Sequence, residues 1–490
     1  MSFNIAWAPQ QKGIILDLFA GPGGWSEGLR ILNLQDIGLE WDEAACKTRA
    51  AAGHLTVRVD VSCFALGPLL GKVWGAIFSP PCTKFSAAGK QFGLKVMGLL
   101  AGGIQRMFRG DDCRQELRDQ IYPAALTEQE TANAKRKTPW TQDKVEAAAR
   151  DDAFVTVLIL EPARYLHALI TGDTGGGIPL EWAAFEQVPG VLPLWKVYAE
   201  ELRRLGWSVW TGVLNAANYG VPQTRERAVL ITSGVRRVSA PDATHDKNPA
   251  HDLFGDCLKP WISMAQALDL AASDIINTRG DRKTPGGNNF PADEPSWALT
   301  EKARSWILYT NGQADRRQWA LKHNARANAT VRTVDEPAAT LAFGHARNEY
   351  EWVLRSGQSI AGVGRAERGL DEPAVTITSR ADLCSWAQDR PATTVCATNR
   401  IAPPGHRDRS PNGESQFASP DTVQITVPEA STLQSFPADY PFQGTRTKQF
   451  EQVGNAWCPR AAAAVVGAAT GIDWQPLVAR HYGETEEAAA

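Results

Sequence analysis

The stretch that decides the fold is LDLFAGPGGWSEGL, from Leu16 to Leu29. An apolar run ends at Phe19, a glycine-rich turn follows, and a helical stretch begins near Ser26. Glycine lets the backbone of such a turn approach a ligand closely, and the first turn of a helix attracts negative groups. The turn lacks the G-x-G-x-x-G spacing of a dinucleotide fingerprint. We therefore expect a strand–turn–helix unit with a ligand at the turn, although a turn of purely structural role fits the same residues.

Short β-rich runs alternate with helical stretches through the first 235 residues. The predicted strands are Gly13–Phe19, Ile37–Trp41, Val57–Asp60, Val73–Ser79, Trp182–Val188, Trp207–Leu214 and Arg227–Thr232. The predicted helices are Ser26–Leu34, Glu43–Ala52, Ala153–Ile170 and Leu192–Leu205. This alternation predicts an α/β fold, with a mostly parallel, Rossmann-like sheet of seven strands covered by helices on both faces. Ligands of such sheets bind at the carboxyl ends of the strands, so the residues that end strands are the site candidates.

Two regions depart from the alternation. Residues 89–152 are polar and charged, and they fit a partly helical insertion, a mobile lid or a plain surface excursion. Residues 236–425 are rich in Pro, Gly, Asn, Thr and Arg, and an Asp-x-Pro turn leads repeatedly into a short β-like run. The uneven spacing argues against a solenoid and indicates a second domain of strands and long loops. The motif occurs in DEPSWAL, DEPAATL, DEPAVTI and DRPATTV, which start at Asp293, Asp335, Asp371 and Asp389.

Composition limits the class of protein. Of the 490 residues, 43% are hydrophobic, and no run approaches the roughly 20 apolar residues of a membrane span. The amino-terminal residues lack the charged and apolar regions of a signal peptide. Eight cysteines are scattered without a C-x-x-C pair or zinc spacing. These features predict a reduced cytosolic protein without a structural metal, and the net charge of −3 does not exclude a local face for nucleic acid.

Three strand ends indicate a nucleoside cofactor. The second strand ends in Glu40 and Trp41, which suit a ribose hydroxyl and the flat face of an adenine. The third strand ends at Asp60, whose carboxylate can accept from an adenine amino group. Because the glycine-rich turn lacks a phosphate grip, these residues favour S-adenosylmethionine over a nicotinamide dinucleotide.

The fourth strand leads into FSPPCTKFS, Phe78–Ser86, where two prolines fix the backbone before Cys82. A buried, unreactive cysteine is the alternative for a lone thiol. The fifth strand delivers Glu186 to the same edge, and Arg225 and Arg227 precede the seventh strand on one face. Two guanidinium groups there could bind a phosphate or a carbonyl oxygen, and an exposed charged edge is the alternative. For Glu186 the alternative is a helix-capping or solvated carboxylate.

Taken in order, these motifs resemble those of the DNA cytosine-5 methyltransferases. DLFAGPGGWSEGL is similar to the family's first motif, SPPCTKFS to its catalytic Pro-Cys loop, and EQV to its Glu-Asn-Val. QTRER matches its Gln-x-Arg-x-Arg, and LQSFPADYPF and QVGNAWCP resemble its last two motifs. The resemblance covers Leu16–Ile231 and Val427–Ala464, and the residues between lie where the family places its variable target-recognition domain.

The resemblance implies methyl transfer from S-adenosylmethionine to carbon 5 of a cytosine in a specific double-stranded DNA sequence. Cys82 would add to carbon 6 of a flipped-out base, while Glu186 would bind the exocyclic amine and protonate ring nitrogen 3. Arg225 and Arg227 complete the implied catalytic set. The implied cofactor-binding residues, with no metal ion, are Phe19, Gly21, Gly23, Gly24, Glu40, Trp41, Asp60, Val61, Pro80, Asn455 and Ala456.

The resemblance also implies a division into domains. Residues 1–235 form the catalytic domain with the insertion 89–152, and residues 236–445 form the target-recognition domain. Residues 446–490 return to the catalytic domain, with the helix Ala461–Ala469 packed beside the Gly21–Gly24 turn. The expected protein is a monomer in the cytoplasm of a bacterial or phage-infected cell, and a cognate restriction endonuclease would act separately.

Three departures from the family pattern touch the site. Gln187 replaces the usual Asn that braces the catalytic loop. Thr83 and Lys84 follow the cysteine, where many members carry Gln first. Trp457–Cys458 replaces smaller residues or proline beside the cofactor pocket. Two other functions fit the motifs: a tRNA cytosine-5 methyltransferase, against which the long second domain argues, and a catalytically silent DNA-binding relative, against which the intact catalytic residues argue.

Overall fold

A computed structural model describes most of the first 249 residues, separate segments of the following region, and the carboxyl-terminal part of the chain. The described residues are 9–81, 83–85, 92–249, 258–268, 275–277, 289–291, 293–297, 299, 307–309, 320–322, 331–333, 352–360, 364–369, 385–388, 422–424 and 426–484. Cys82 lies outside the described residues, and so do the motifs that start at Asp335, Asp371 and Asp389.

A seven-stranded sheet organises the amino-terminal region, with the strand order β3-β2-β1-β4-β5-β8-β6. Neighbouring strands among β1 to β5 pair in parallel, and β8 runs antiparallel to both β5 and β6. The predicted fold class, a mostly parallel α/β sheet, is confirmed. The strands are β1 Ile14–Leu18, β2 Asp36–Glu40, β3 Leu55–Arg58, β4 Val73–Phe78, β5 Trp182–Gln187, β6 Ser208–Asn215, β7 Gln223–Thr224, which lies outside this sheet, and β8 Glu226–Ser233.

Helices cover the sheet, and their ends follow local backbone chemistry. The first helix ends earlier than predicted because Asn33 adopts a φ of 55° and the Leu34 N–H bonds back to the Leu29 carbonyl at 2.8 Å. The helices of this region are α1 Gly24–Ile31, α2 Glu43–Ala51, α3 Phe92–Lys95, α4 Met97–Met107, α5 Arg114–Ala134, α6 Gln142–Val157, α7 Glu161–Thr171 and α8 Leu192–Arg204.

The described part of the insertion is helical and joins the core, so the surface-excursion reading was wrong. Leu100 and Ile104 of α4 and Leu117 and Ile121 of α5 are buried in the same hydrophobic cluster as the sheet. The helix predicted to begin at Ala153 begins with α6, and a 3-10 turn separates it from α7. Pro162 has no backbone N–H to donate, which accounts for the interruption in the first turn of α7.

Among the residues that the structure describes, one helical run satisfies the length and composition of a membrane span. It is Gln142–Thr171, and 67% of its most apolar window is buried inside the protein. Such burial is that of a core helix, and a single run of this kind is weak support for a span.

The carboxyl-terminal segment packs on the sheet region. The Trp457 side chain and the small residues of α12, among them Ala462 and Val466, share a buried cluster with Trp25 and Leu29 of α1. Small side chains let two helices approach closely: a Cβ added at Gly28 would stand 2.5 Å from the Ala462 Cβ. The helices here are α9 Met264–Leu268, α10 Val427–Leu433, α11 Arg446–Asn455, α12 Pro459–Thr470 and α13 Gln475–His481.

The chain forms two compact units, residues 1–312 with 421–490, and residues 313–420. The first unit contains further short strands, including a parallel pair between Ser296–Trp297 and β7. The second unit contains the antiparallel pair Ala320–Lys322 and Val331–Thr333, and a three-stranded antiparallel sheet of Trp352–Ile360, Gly364–Gly369 and Ser385–Gln388. The functional division at residues 235 and 445 stays a prediction.

Candidate active site

Glu40 orients the turn that follows β1. Phe19 and Gly21 have φ angles of 60° and 53°, a region that favours glycine and strains the Phe19 backbone. The Gly21 N–H donates to Glu40 Oε2 at 2.8 Å. The other carboxylate oxygen accepts from the N–H groups of Trp41 and Asp42, both at 2.8 Å. Glu40 therefore joins the ends of β1 and β2, and the backbone fixes the direction of its carboxylate.

The three predicted turn glycines serve two purposes. A Cβ at Gly24 would overlap the Trp457 carbonyl oxygen, and one at Gly23 would stand 2.8 Å from the Tyr440 hydroxyl oxygen. A Cβ at Gly21 would have its nearest neighbour only at 4.0 Å. Gly21 thus borders open space suited to a ligand, whereas Gly23 and Gly24 let the carboxyl-terminal segment come close.

The ends of β2 and β3 present the predicted cofactor groups along the same edge. The Trp41 side chain is 59% exposed, which is unusual for an indole. Asp60 is half-buried, and its Oδ1 accepts from the Ser62 N–H at 2.9 Å. Val61 is buried beside it. An exposed aromatic face next to oriented carboxylates fits a nucleoside with an amino group and ribose hydroxyls.

Gln187 braces the loop after β4. Its Nε2 donates to the Pro80 carbonyl at 2.6 Å, and its Oε1 accepts from the Val188 N–H. The extra methylene relative to asparagine therefore leaves an amide brace in place. On the other side of the loop, Trp25 Nε1 donates to Ser79 Oγ at 2.8 Å. Both contacts fix the backbone that leads into the Pro-Cys loop.

Glu186 and Arg227 form an ion pair at the carboxyl edge of the sheet. Arg227 Nε lies 2.8 Å from Glu186 Oε1, and the side chains are 14% and 9% exposed. Because β8 is antiparallel to β5, the first residues of β8 lie at the edge where β5 ends. The reversed strand therefore delivers a guanidinium group to the carboxylate at the end of β5. This arrangement can hold an exocyclic amine and a carbonyl oxygen side by side.

Arg225 has a different environment from Arg227, in contrast to the predicted common face. It is fully buried, and its guanidinium group donates to three backbone carbonyls: Leu299 at 3.3 Å, Gly454 at 3.0 Å and Ala456 at 2.9 Å. A buried cation that satisfies carbonyl groups from distant segments fixes their positions. Its geometry is that of a residue that joins the end of α11 to the sheet.

The two predicted cofactor residues of the carboxyl-terminal segment also differ. Ala456 is buried, and its carbonyl accepts from Arg225 and from Gln434 Nε2 at 2.6 Å. Asn455 is exposed at the last position of α11. Asn455 therefore has a side chain available to a ligand, and Ala456 contributes to the site through its backbone position.

Lys84 of the Pro-Cys loop is bound by the insertion. Its Nζ forms an ion pair with Asp152 Oδ1 of α6, and the side chains are 19% and 10% exposed. Asp152 Oδ2 accepts from Gln129 Nε2 of α5 at 2.6 Å. The Lys84 carbonyl also accepts from the Gly93 N–H at 2.8 Å. Two helices of the insertion thus hold the residue that lies two positions after Cys82.

Asp152 and Gln129 were missed by the reading of the sequence. Asp152 lies on the buried face of α6 together with Val145 and Ala149. A carboxylate at helical spacing within an apolar face is a signal for a buried partner, since carboxylates are almost never fully buried without one. The polar composition of the insertion concealed it.

The departure at Cys458 places a second cysteine near the catalytic charges. Burial is the main cause that raises the pKa of the Cys458 thiol to about 12, which the charges of Arg225 and Arg227 only partly offset. Cys458 therefore stays a thiol near neutral pH and behaves as a small buried hydrophobe.

The family of the chain follows from comparison with known proteins. The model of the C-5 cytosine-specific DNA methylases matches residues 14–97 and 185–470. Type II methyltransferase M1.HphI of Haemophilus parahaemolyticus is 24% identical over 92% of this chain and 85% of its own length. Type II methyltransferase M.DdeI of Desulfomicrobium norvegicum is 23% identical over 94% and 88%. A solved Spodoptera frugiperda DNMT2 mutant has a TM-score of 0.44 at 11% identity, over 93% of this chain and 99% of that chain.

The sheet order and the residues at its carboxyl edge are those expected of an α/β methyltransferase. These residues occur along the chain in the order of the methyltransferase motifs described above. The chain belongs to the C-5 cytosine-specific DNA methylase family. The predicted activity, DNA (cytosine-5) methyltransferase, is confirmed by this match, and the match excludes residues 98–184, which contain most of the insertion.

Proposed function

We propose that this enzyme methylates carbon 5 of a flipped-out cytosine within a specific double-stranded DNA sequence, with S-adenosylmethionine as the donor and Cys82 as the nucleophile. The observation that carries the proposal is the Glu186–Arg227 pair, at 2.8 Å, beside the braced loop that leads to Cys82. The names of the relatives support a role as a type II modification enzyme. A restriction endonuclease of the same specificity would act separately.

The residues at the ends of β1 to β3 would hold the cofactor. Glu40 would accept from a ribose hydroxyl, the exposed face of Trp41 would stack on the adenine, and Asp60 would accept from its amino group. Gly21, with Phe19 beside it, leaves room for the methionine part of the molecule. When bound, S-adenosylmethionine supplies an electrophilic methyl group.

The reaction requires carbon 5 of cytosine to become nucleophilic. The Cys82 thiolate adds to carbon 6, and Glu186 delivers a proton to ring nitrogen 3, so that carbon 5 gains the electron density of an enamine. Arg227 is placed to bind the neighbouring carbonyl oxygen and to orient the Glu186 carboxyl group, which carries the proton in this step. After carbon 5 has taken up the methyl group, a base, such as water, removes its proton, the sulfur leaves, and nitrogen 3 returns its proton to Glu186.

The remaining features of the proposal follow from the family. Residues 236–445 would read the DNA sequence, and a target base inside a duplex must leave the stack to reach the catalytic edge. The enzyme would act as a monomer in the cytoplasm of a bacterial or phage-infected cell.

Bisulfite sequencing of DNA from cells that express the protein tests the function. We expect protected cytosines within one recurring sequence for the wild type and none for Cys82→Ala, whose purified form still binds DNA. Protection by Cys82→Ala equal to that of the wild type would contradict the mechanism, and methylated tRNA without methylated DNA would contradict the substrate.

A further inference from the structure

The helices α5 and α6 form an antiparallel hairpin with a basic tip. Arg118 of α5 stacks on Phe154 of α6 at 4.6 Å, and Arg150 of α6 lies 5.7 Å from the Tyr122 ring of α5. Between the two helices, the chain turns through residues 135–141. We name residues 135–144 the hairpin tip.

The hairpin tip has a concentrated positive charge. Its four cations are exposed, and Asp143 is the one acidic residue of the segment. Among the described residues, none of the four is paired with a carboxylate, whereas Arg150 pairs with Glu146 at 3.1 Å further along α6. For a protein whose net charge is −3, this is a marked local excess. The cations are Lys135, Arg136, Lys137 and Lys144.

The tip also has a defined conformation. Asn133 exchanges two hydrogen bonds with the backbone of Trp140, at 2.7 Å and 3.1 Å, which closes the turn. The Arg136 guanidinium group lies 3.6 Å from the Trp140 ring centroid, and Lys144 Nζ lies 4.5 Å from it. Because the Trp140 ring binds both cations through cation–π contacts at a closed turn, the positive charges stay close together.

The direction of α6 places the tip beyond the catalytic edge. From the tip, the helical run α6–α7 leads to Thr171, from where the chain reaches the amino end of β5. Asp152 lies at the level of the Pro-Cys loop, because it binds Lys84. Ten residues separate Asp152 from the start of α6, which is about 15 Å of helix. Measured along α6, the tip therefore lies about 15 Å beyond the residue that binds Lys84, in the direction that leads away from the amino end of β5.

We propose that the hairpin tip binds the phosphate backbone of the DNA that flanks the target cytosine. Exposed cations beside an aromatic ring suit phosphates, and sequence-independent contacts of this kind position a protein on a duplex. The proposal rests on the proposed function for the location of the target base. It assigns to the insertion a role separate from sequence recognition by residues 236–445.

The test compares DNA binding by the wild type and by a triple variant, Lys135→Gln, Arg136→Gln and Lys137→Gln. Glutamine removes the charge and keeps a polar, unbranched stem that remains soluble on an exposed surface. The probe is a mixed-sequence duplex, and its affinity is measured over a range of salt concentrations. Each lost phosphate contact reduces the magnitude of the negative slope of log K against log salt by about 0.9. We therefore expect the slope to become less steep by about 2–3 and binding at low salt to weaken by at least about tenfold.

A matched control removes three cations from the opposite edge of the sheet. Lys72 precedes β4, Arg203 lies in the last turn of α8, and Arg237 follows β8, which is antiparallel to β5, so all three are near the amino ends of the parallel strands. The control variant Lys72→Gln, Arg203→Gln and Arg237→Gln has the same net charge as the tip variant. It should keep the slope of the wild type.

Equal slopes and affinities for the tip and control variants would overturn the proposal. The thermal unfolding temperature of both variants is measured first, because exposed substitutions should leave it unchanged. Failure of the proposed function would look different: the wild type would methylate no cytosine, while the salt dependence would still report on the tip.

Discussion

At the carboxyl edge of the sheet, the loops after β1 to β3 and the loops near β4, β5 and β8 are held in place by different kinds of contact. At β1 to β3, glycine backbones touch the carboxyl-terminal segment, and a Cβ at Gly24 would overlap the Trp457 carbonyl oxygen. At β4, β5 and β8, polar side chains hold the loops through the pairs Gln187–Pro80, Glu186–Arg227 and Lys84–Asp152. The difference teaches that the side of β1 to β3, where the proposed cofactor residues lie, needs glycines without side chains for its close packing, in addition to the Glu40 carboxylate. The side of β4, β5 and β8, where the proposed catalytic residues lie, depends on individual polar contacts that can be removed one at a time.

The largest effect should come from the charged group of the catalytic side. Glu186→Gln keeps the shape of the side chain but cannot deliver a proton to nitrogen 3, and general acid catalysis typically contributes about 10²–10⁴-fold. We expect kcat to fall by about that factor while binding of S-adenosylhomocysteine, measured by calorimetry, is unchanged. Glu181→Gln, at the amino edge of the sheet, is the control and should keep its activity. An active Glu186→Gln enzyme would refute the assigned role.

On the side of β1 to β3, the expected effect of a substitution is steric. Gly24→Ala forces the Trp457 backbone away from α1, at a cost of about 1–3 kcal/mol in the free energy of unfolding. We expect weaker S-adenosylhomocysteine binding together with a lower thermal unfolding temperature. Gly102→Ala is the control, since a Cβ there meets nothing within 4 Å and lies inside α4, where alanine favours the helix. Equal S-adenosylhomocysteine affinities and equal unfolding temperatures for Gly24→Ala and Gly102→Ala would contradict the steric requirement at Gly24.

The contact of the insertion with the Pro-Cys loop should have an intermediate effect. Asp152→Asn removes the charge that holds Lys84 and leaves the side chain its shape. If the contact positions the loop, kcat should fall by about 10–100-fold with an unchanged KM for the cofactor, since a small displacement of a reacting group is costly. Glu146→Gln breaks an exposed pair of the same helix and should be silent. A lower unfolding temperature with normal kcat would indicate a structural role alone.

The smallest expected effect concerns the pH dependence of the free energy of unfolding, through the buried ring of His245. Burial lowers the pKa of His245 to about 4, with the positive charges of Arg460 and Lys259 as further causes and Glu484 opposed to them. The folded state therefore favours the neutral ring, so the full stability is present above the unfolded pKa of about 6.5 and is lost as the pH falls towards 4. Between pH 7 and pH 5 we expect His245→Asn to lose about 2 kcal/mol less stability than the wild type, because linkage between the unfolded and folded pKa values of the ring acts only in the wild type. The free energy of unfolding of both proteins is measured by chemical denaturation at each pH. An identical pH dependence for the wild type and His245→Asn would contradict this prediction.

Much of the fold and part of the site could be predicted from residue order. Alternating strands and helices specified the sheet, and the residues that end its strands specified where a site must lie, since both follow from local chemistry. The insertion was harder, because a polar composition does not show which face of α5 and α6 is buried. Leu117, Ile121 and Ala149 pack into the core only when the whole helix is placed on the sheet.

The sequence by itself determined the family motifs, the seven-stranded α/β sheet and the candidates Glu40, Trp41 and Glu186 at its edge. Only the tertiary structure shows that Arg225 and Arg227, which look equivalent along the chain, have different environments. The reversed direction of β8 brings Arg227 to Glu186, and carbonyl groups more than 200 positions later in the chain surround Arg225. Contacts between residues so far apart depend on how the strands and the carboxyl-terminal segment pack, and no local pattern records that packing.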